Sequence, residues 1–264
     1  MTVAPVRARA GRGLLAGLAN QTRREAASWW SNGRWYRQAL IWAGLLVGLF
    51  ALMHWVLPAV VPAEAGLPDS TLAQSIGQFT ELVAIVTAIG VVLLTQSIVI
   101  DERRNGVLEW LLSKPLARPA LLVAKFAGQA AGLLVTAVAL PWLAVFVVLG
   151  VATGEPWPPG RTLTAAGMIG LLVVFHLALV LATSTITWSR VAVLAVPLVL
   201  IVGADLITAV APWAFELLPW SLGPVAGAWL AQGVLVTGWP VAATVGWTLA
   251  LLGIASWRLH HTEL

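Results

Sequence analysis

Six stretches of the chain are apolar on every helical face: about 39–61, 79–100, 120–150, 163–188, 191–211 and 238–257. Each reaches the roughly 20 residues that an α-helix needs to cross about 30 Å of hydrocarbon at 1.5 Å per residue. A helix at the surface of a soluble domain keeps a polar stripe toward water, and six runs without one point to lipid as the solvent. The pattern predicts an all-α polytopic membrane protein with six transmembrane helices spread over residues 39–257.

The intervening segments read differently. Residues 1–38 mix arginine with Leu14, Leu15, Leu18, Trp29, Trp30, Trp35 and Tyr36. That content predicts a loose tail over 1–13, then an amphipathic interfacial helix along the membrane surface. Its faces are not clean, because Trp30 and Trp35 fall among the arginines, and Gly33 weakens its end. Residues 212–237 are apolar but broken by Pro212, Pro219 and Pro224. They predict short re-entrant external helices before span six, whose backbone must be satisfied by protein or trapped water.

Composition narrows the function classes. Of the 264 residues, 59% are apolar and 10% charged, against roughly 25% charged in an ordinary soluble domain. Six spans leave no room for a separate soluble catalytic domain. With no cysteine, disulfides, zinc–thiolate sites and thiol catalysis are excluded. The net charge of +4 acquires meaning from its distribution. Arg7, Arg9, Arg12, Arg23, Arg24, Arg34 and Arg37 precede span one. Arg103, Arg104, Lys114, Arg118 and Lys125 lie between or at the edges of spans two and three. Arg190 separates spans four and five, and Arg258 opens the tail 258–264. Of the 15 lysines and arginines only Arg161 falls on the other side. The positive-inside rule then predicts a multi-pass protein of the plasma (inner) membrane with both termini cytoplasmic. The basic excess is thus a topology signal, and nucleic acid is excluded as a partner. Trp42, Trp188 and Trp257 fall at inner span ends, and Trp55, Trp213 and Trp239 at outer ends, where indole rings favour the headgroup layer.

Charge, glycine, proline and leucine alternate only in the cytoplasmic loop 101–119. Leu108, Leu111 and Leu112 follow i, i+3, i+4 spacing and place one apolar stripe on a short helix ended by Pro115. Glu102, Arg104 and Glu109 surround it with polar groups. Such a helix fits docking into a groove on a cytoplasmic partner, and equally fits lying flat on the membrane.

The run Glu102-Arg103-Arg104-Asn105-Gly106-Val107-Leu108-Glu109, then Leu111-Leu112-Ser113-Lys114-Pro115, Arg118 and Lys125, resembles the characteristic loop of ABC type-2 transporter permeases. That family shows Glu-Arg, Gly, a Leu pair, Pro, Arg and a Lys starting the next helix, in this order. Val107 departs from it, where Thr or Ser is common. The closest flavour is that of nitrous-oxide-reductase maturation and multidrug or antibiotic export permeases. The resemblance implies that the loop is a coupling helix received by a separate ATP-binding cassette ATPase subunit, with Glu102, Gly106, Leu108, Glu109, Leu111, Leu112 and Pro115 as the coupling set. It implies a second permease copy or paralogue, and ATP and Mg bound in the ATPase subunit rather than by this chain. No Gly-x-x-x-x-Gly-Lys-Ser/Thr phosphate loop occurs in the sequence, so the chain itself is not expected to be an enzyme.

Ionisable residues within spans are candidates for function by default. Glu81 opens span two and Asp205 lies near the outer end of span five, where a solvated carboxylate is the plainer reading. His176 sits near the middle of span four, where a neutral imidazole bonded to a neighbouring helix is the plainer reading. No catalytic residue is assigned, since His176 and Ser184 are about 12 Å apart along one helix, too far to pair. With no His-x-x-x-His pair, no metal site is expected. Gly-x-x-x-Gly pairs at 44/48 and 128/132 permit close helix contacts within spans one and three. The expected function is export of amphiphilic, drug-like or lipid-like cargo. The alternatives are a membrane anchor that transmits mechanical work without moving a solute, and a channel.

Overall fold

The computed structural model describes residues 17–60, 72–105, 117–154, 157–187, 189–235 and 237–261. Among the described residues all regular structure is helical. The α-helices are α1 (Leu18–Trp30), α2 (Arg34–Ala51), α3 (Leu57–Val60), α4 (Leu72–Thr95), α5 (Ile100–Arg104), α6 (Arg118–Leu133), α7 (Leu140–Thr153), α8 (Pro159–Ile186), α9 (Arg190–Val210), α10 (Leu222–Gln232) and α11 (Trp239–His261). Five helical stretches among the described residues are long and apolar enough to cross a membrane: Arg34–Val56, Gln74–Glu102, Arg118–Val151, Pro159–Ile186 and Trp239–His261. The apolar run 191–211 forms α9, of which Arg190–Ala204 is a shorter apolar helix. The chain is a multi-pass, all-α membrane protein.

Prolines shape two of these stretches. A π-helical turn, Leu52–Val56, separates α2 from α3, and another, Leu134–Ala139, separates α6 from α7. Each turn comes just before a proline, Pro58 or Pro141. A proline offers no N–H to the carbonyl four residues earlier, here that of His54 or Ala137, so the helix re-pairs through the wider π pattern. The two halves thereby remain one continuous stretch.

α8 is the central helix, with almost every residue from Met168 to Thr185 buried. It packs against α4, α9, α10 and α11, which is why its apolar run has no polar face. At the end away from the 101–119 loop, Phe50, Phe79 and Trp157 meet edge to face with ring centroids 5.4–6.5 Å apart. That cluster joins α2, α4 and the segment entering α8, and such aromatic pairs add to the burial they provide.

The interval 212–237 folds as two 3₁₀ turns, Pro212–Leu217 and Pro219–Ser221, followed by α10. α10 lies hard against α4: a Cβ on Gly227 would sit 3.1 Å from the Gly77 carbonyl oxygen, and one on Gly223 2.8 Å from the Ala84 Cβ. Only hydrogen at these positions permits that approach. Two sequence readings are corrected here. Trp42 does not face a headgroup layer; it is buried with its ring over Gly90. Among the described residues the Gly44/Gly48 pair meets no other helix, since nothing lies within 4 Å of a Cβ built on either.

Candidate functional site

Charged side chains converge at the end of the bundle where the 101–119 loop leaves and re-enters. Lys125, about two turns into α6, is only 3% exposed. Its Nζ donates to Glu102 Oε1 at 2.6 Å and to Glu25 Oε1 at 3.0 Å. Glu102 belongs to α5, at the start of the loop, so one ammonium binds both roots of the loop together. Glu25 belongs to α1, so the same ammonium also fixes the N-terminal helix. A buried ammonium is tolerable only when its donors are spent on such partners.

α1 docks through its polar face. Gln21, Glu25 and Trp29, four residues apart, are its buried residues. Gln21 Nε2 donates to Glu25 Oε1 at 3.0 Å, and Trp29 Nε1 donates to Gln129 Oε1 of α6 at 2.8 Å. Two glycines of α6 make the approach possible. A Cβ on Gly128 would lie 2.5 Å from the Glu25 Cβ, and one on Gly132 2.3 Å from the Trp29 ring. The Gly128/Gly132 pair therefore receives α1 rather than another span. The Arg34 guanidinium stacks 4.5 Å from the Trp29 ring centroid, a cation–π contact that closes the indole's other side. Gly33, with φ +63, turns the chain between α1 and α2. That left-handed conformation is cheap only for glycine, so the residue read as weakening a helix end is the joint itself.

Two further ties complete this end. Arg118 Nη1 donates to the carbonyls of Leu259 and His260 at 2.9 and 3.0 Å, placing a cation on the C-terminal end of α11, where the helix dipole favours it. Arg190, opening α9, pairs with Asp101 of α5. At this end α1, α9 and α11 are thus tied to α5 or α6, the two roots of the loop.

A model of the ABC-2 family transporter proteins matches residues 57–218, more than half of the chain. The chain belongs to the ABC-2 transporter family. No curated protein matches it. As an ABC-2 permease it is a transport component rather than an enzyme; ATP hydrolysis lies in a separate subunit, and the family implies pairing with an ABC ATPase.

Within this ABC-2 permease, Glu102 is the member of the expected coupling set that the structure describes. Gly106, Leu108, Glu109, Leu111, Leu112 and Pro115 lie outside the described residues. The intramembrane candidates are not gathered into one site. His176 is fully buried on α8, and its Nδ1 donates to the Leu172 carbonyl one turn earlier at 2.8 Å. Its partner is its own backbone, not the neighbouring helix expected from the sequence. Among the described residues its buried Nε2 has no hydrogen-bond partner, and its ring lies 6.3 Å from that of Trp220. Glu81 is exposed on α4 and lines a groove against α10. Asp205 belongs to α9, and its side chain lies outside the described residues.

Sequence reasoning missed Gln21, Glu25 and Gln129, and took Trp29 only as apolar content of an amphipathic helix. The signal was present as two matching stripes: Gln21, Glu25 and Trp29 on α1, and Lys125, Gly128, Gln129 and Gly132 on α6. Each stripe alone resembles ordinary amphipathicity. Only their pairing identifies a docked face.

Proposed function

We propose that this permease exports amphiphilic, drug-like or lipid-like cargo across the plasma (inner) membrane, with its ATPase subunit received on the loop 101–119. In this reading the chain crosses six times, both termini are cytoplasmic, and the residues before α10 dip into the outer leaflet. A second permease copy or a paralogue completes the pathway. ATP and Mg are held by the ATPase.

One observation carries the reading: the loop's two roots and α1 are all bound to the buried Lys125. A push on the loop then moves the ends of α5 and α6 and the whole of α1 as one body, without loss in slack joints. Leu108, Leu111 and Leu112 supply the apolar stripe that a groove on the ATPase would take.

The test is a tagged pull-down from native membranes in mild detergent, comparing wild type with a Leu108→Asp, Leu112→Asp double variant. An ABC ATPase subunit should accompany the wild type and be lost from the variant. Retention of the ATPase by a well-folded double variant would remove the loop from the docking surface. Cargo and direction follow from amphiphile-stimulated ATP hydrolysis and ATP-dependent uptake into inside-out vesicles. Hydrolysis that no amphiphile stimulates would favour mechanical transmission without transport.

A further inference from the structure

The corner where α1 meets α2 carries four arginines: Arg23 and Arg24 on α1, and Arg34 and Arg37 at the start of α2. The one carboxylate between residues 17 and 60 is Glu25, and it is buried and spent on Lys125. Arg34 rests on the Trp29 ring. Arg23, Arg24 and Arg37 are exposed, and among the described residues none of them is in an ion pair. The corner therefore keeps its positive charge.

Arg37 stands at the foot of a face that meets lipid. Arg37, Leu40, Ile41, Gly44, Leu45 and Gly48 are all exposed, and they follow i, i+3, i+4, i+7, i+8 and i+11 along one side of α2. That side belongs to the membrane-crossing stretch Arg34–Val56, with Leu40 70% and Ile41 62% exposed. A guanidinium placed there reaches the headgroup layer along its own apolar stem. The counter-charge on offer at that depth is a lipid phosphate, an acceptor matched to its fork of donors. Beside Arg37, the exposed rings of Trp30, Trp35 and Tyr36 are in contact, with centroids 6.1 and 6.0 Å apart. The Tyr36 ring folds back over Gly33, 2.5 Å from where a Cβ would lie. Rings of this kind settle at headgroup depth. Arg23, Ala27 and Trp30 are exposed on the face of α1 turned away from its buried Gln21, Glu25 and Trp29.

We propose that the α1–α2 corner binds an anionic phospholipid of the leaflet on the loop side, its phosphate held by Arg37, its headgroup against Trp35 and Tyr36, and its chains along Leu40 and Ile41. A soluble anion would leave the apolar face unused, and an uncharged lipid would leave the arginines without a counter-charge. The occupant that satisfies both carries a negative head on an apolar tail. The mixture of arginine and aromatic residues that spoils the clean faces of an amphipathic helix is the composition such a site needs. The site is independent of the cargo and of the direction of transport. It anchors, through the bilayer, the same helix that Lys125 ties to the loop.

Trp35 supplies a readout that needs neither ATP nor the partner subunit. The full chain is reconstituted into phosphatidylcholine nanodiscs with a rising mole fraction of phosphatidylglycerol brominated near the top of its chains. Bromine quenches nearby indoles, and the Trp35 component is the difference from a Trp35→Phe chain. Phosphatidylcholine brominated at the same positions is the control. The anionic lipid should quench Trp35 saturably, at a mole fraction roughly fivefold lower than the zwitterionic one. Arg37→Gln should bring the two lipids to parity while leaving quenching by the control unchanged, which also shows that the corner still folds. Arg24→Gln, about 9 Å before Trp30 along α1, should keep most of the preference. Inorganic phosphate should compete no better than sodium chloride of equal ionic strength. Equal quenching of the wild type by the two lipids would overturn the proposal. Equal loss of preference in Arg37→Gln and Arg24→Gln would do the same, by revealing a diffuse field instead of a site. Displacement by inorganic phosphate would show that a soluble anion suffices, and quenching by neither lipid would show that protein covers the corner; either result also overturns it.

Discussion

At the loop end of the bundle Lys125 is almost completely buried and holds two carboxylates, whereas at the opposite end Glu81 stands exposed beside three glutamines. The two regions use the same kinds of side chain for different purposes. Around Lys125 the glycines of α6 are filled by Glu25 and Trp29, and the amides are spent on Glu25 and the Trp29 indole. Around Glu81 the small residues of α10 leave space. Polar groups that bond one another in a closed, desolvated setting fix elements together. Substitutions around Lys125 should therefore cost stability according to how well water can replace the partner removed.

The largest expected loss comes from Lys125→Met. It leaves Glu25 and Glu102 facing each other without their shared cation, and removing one partner from a buried ionic pair costs about 3–5 kcal/mol. Thermal unfolding of the detergent-solubilised chain should show a large drop in Tm, with partial recovery in Lys125→Arg. A Tm unchanged from wild type would mean that water already screens these groups and that the two ends are not different in kind.

Next is Gly132→Leu, whose side chain would be driven into the Trp29 ring. Overpacking of this kind costs about 1–3 kcal/mol, and here it is most easily relieved by lifting α1 off α6. Because the chain has no native cysteine, a single Gln21→Cys reports this directly. It should be protected from maleimide in the parent and labelled rapidly once Gly132 is replaced. Trp29→Phe is milder. It keeps most of the ring but removes the donor to Gln129, and an orphaned buried acceptor costs about 1–3 kcal/mol. The same cysteine should show intermediate labelling.

The fold class was legible in the sequence because lipid imposes a long, one-sided constraint that apolar runs record residue by residue. Helix bounds were less so. α2 begins at Arg34 and α4 at Leu72, ahead of the apolar runs near 39 and 79, since helices continue past hydrocarbon into polar residues where composition gives no warning. The family showed in the 101–119 loop, whose order of Glu, Gly, Leu, Pro, Arg and Lys is local. The Lys125 node was not legible, because Glu25 lies 100 residues from Lys125 in the chain and is brought to it by the turn at Gly33 and the glycine face of α6. The groove escaped for a related reason: Gln74, Gln78 and Glu81 looked like a span entrance until α10 was placed beside them.

The smallest expected effect sharpens the contrast from within the loop end itself. Arg190 and Asp101 form an ion pair as Lys125 and Glu102 do, but their side chains are 50% and 42% exposed. Water solvates both groups when the pair is broken, and holding two long side chains in register costs entropy, so such a pair contributes about 0–1 kcal/mol. Arg190→Ala should therefore lower Tm only slightly, and the difference should shrink further in high salt. Lys125→Met should keep its large deficit at the same ionic strength, since counterions do not reach a buried ammonium. Equal salt sensitivity of the two variants would place Lys125 in solvent contact and dissolve the distinction between a sealed end and an open one.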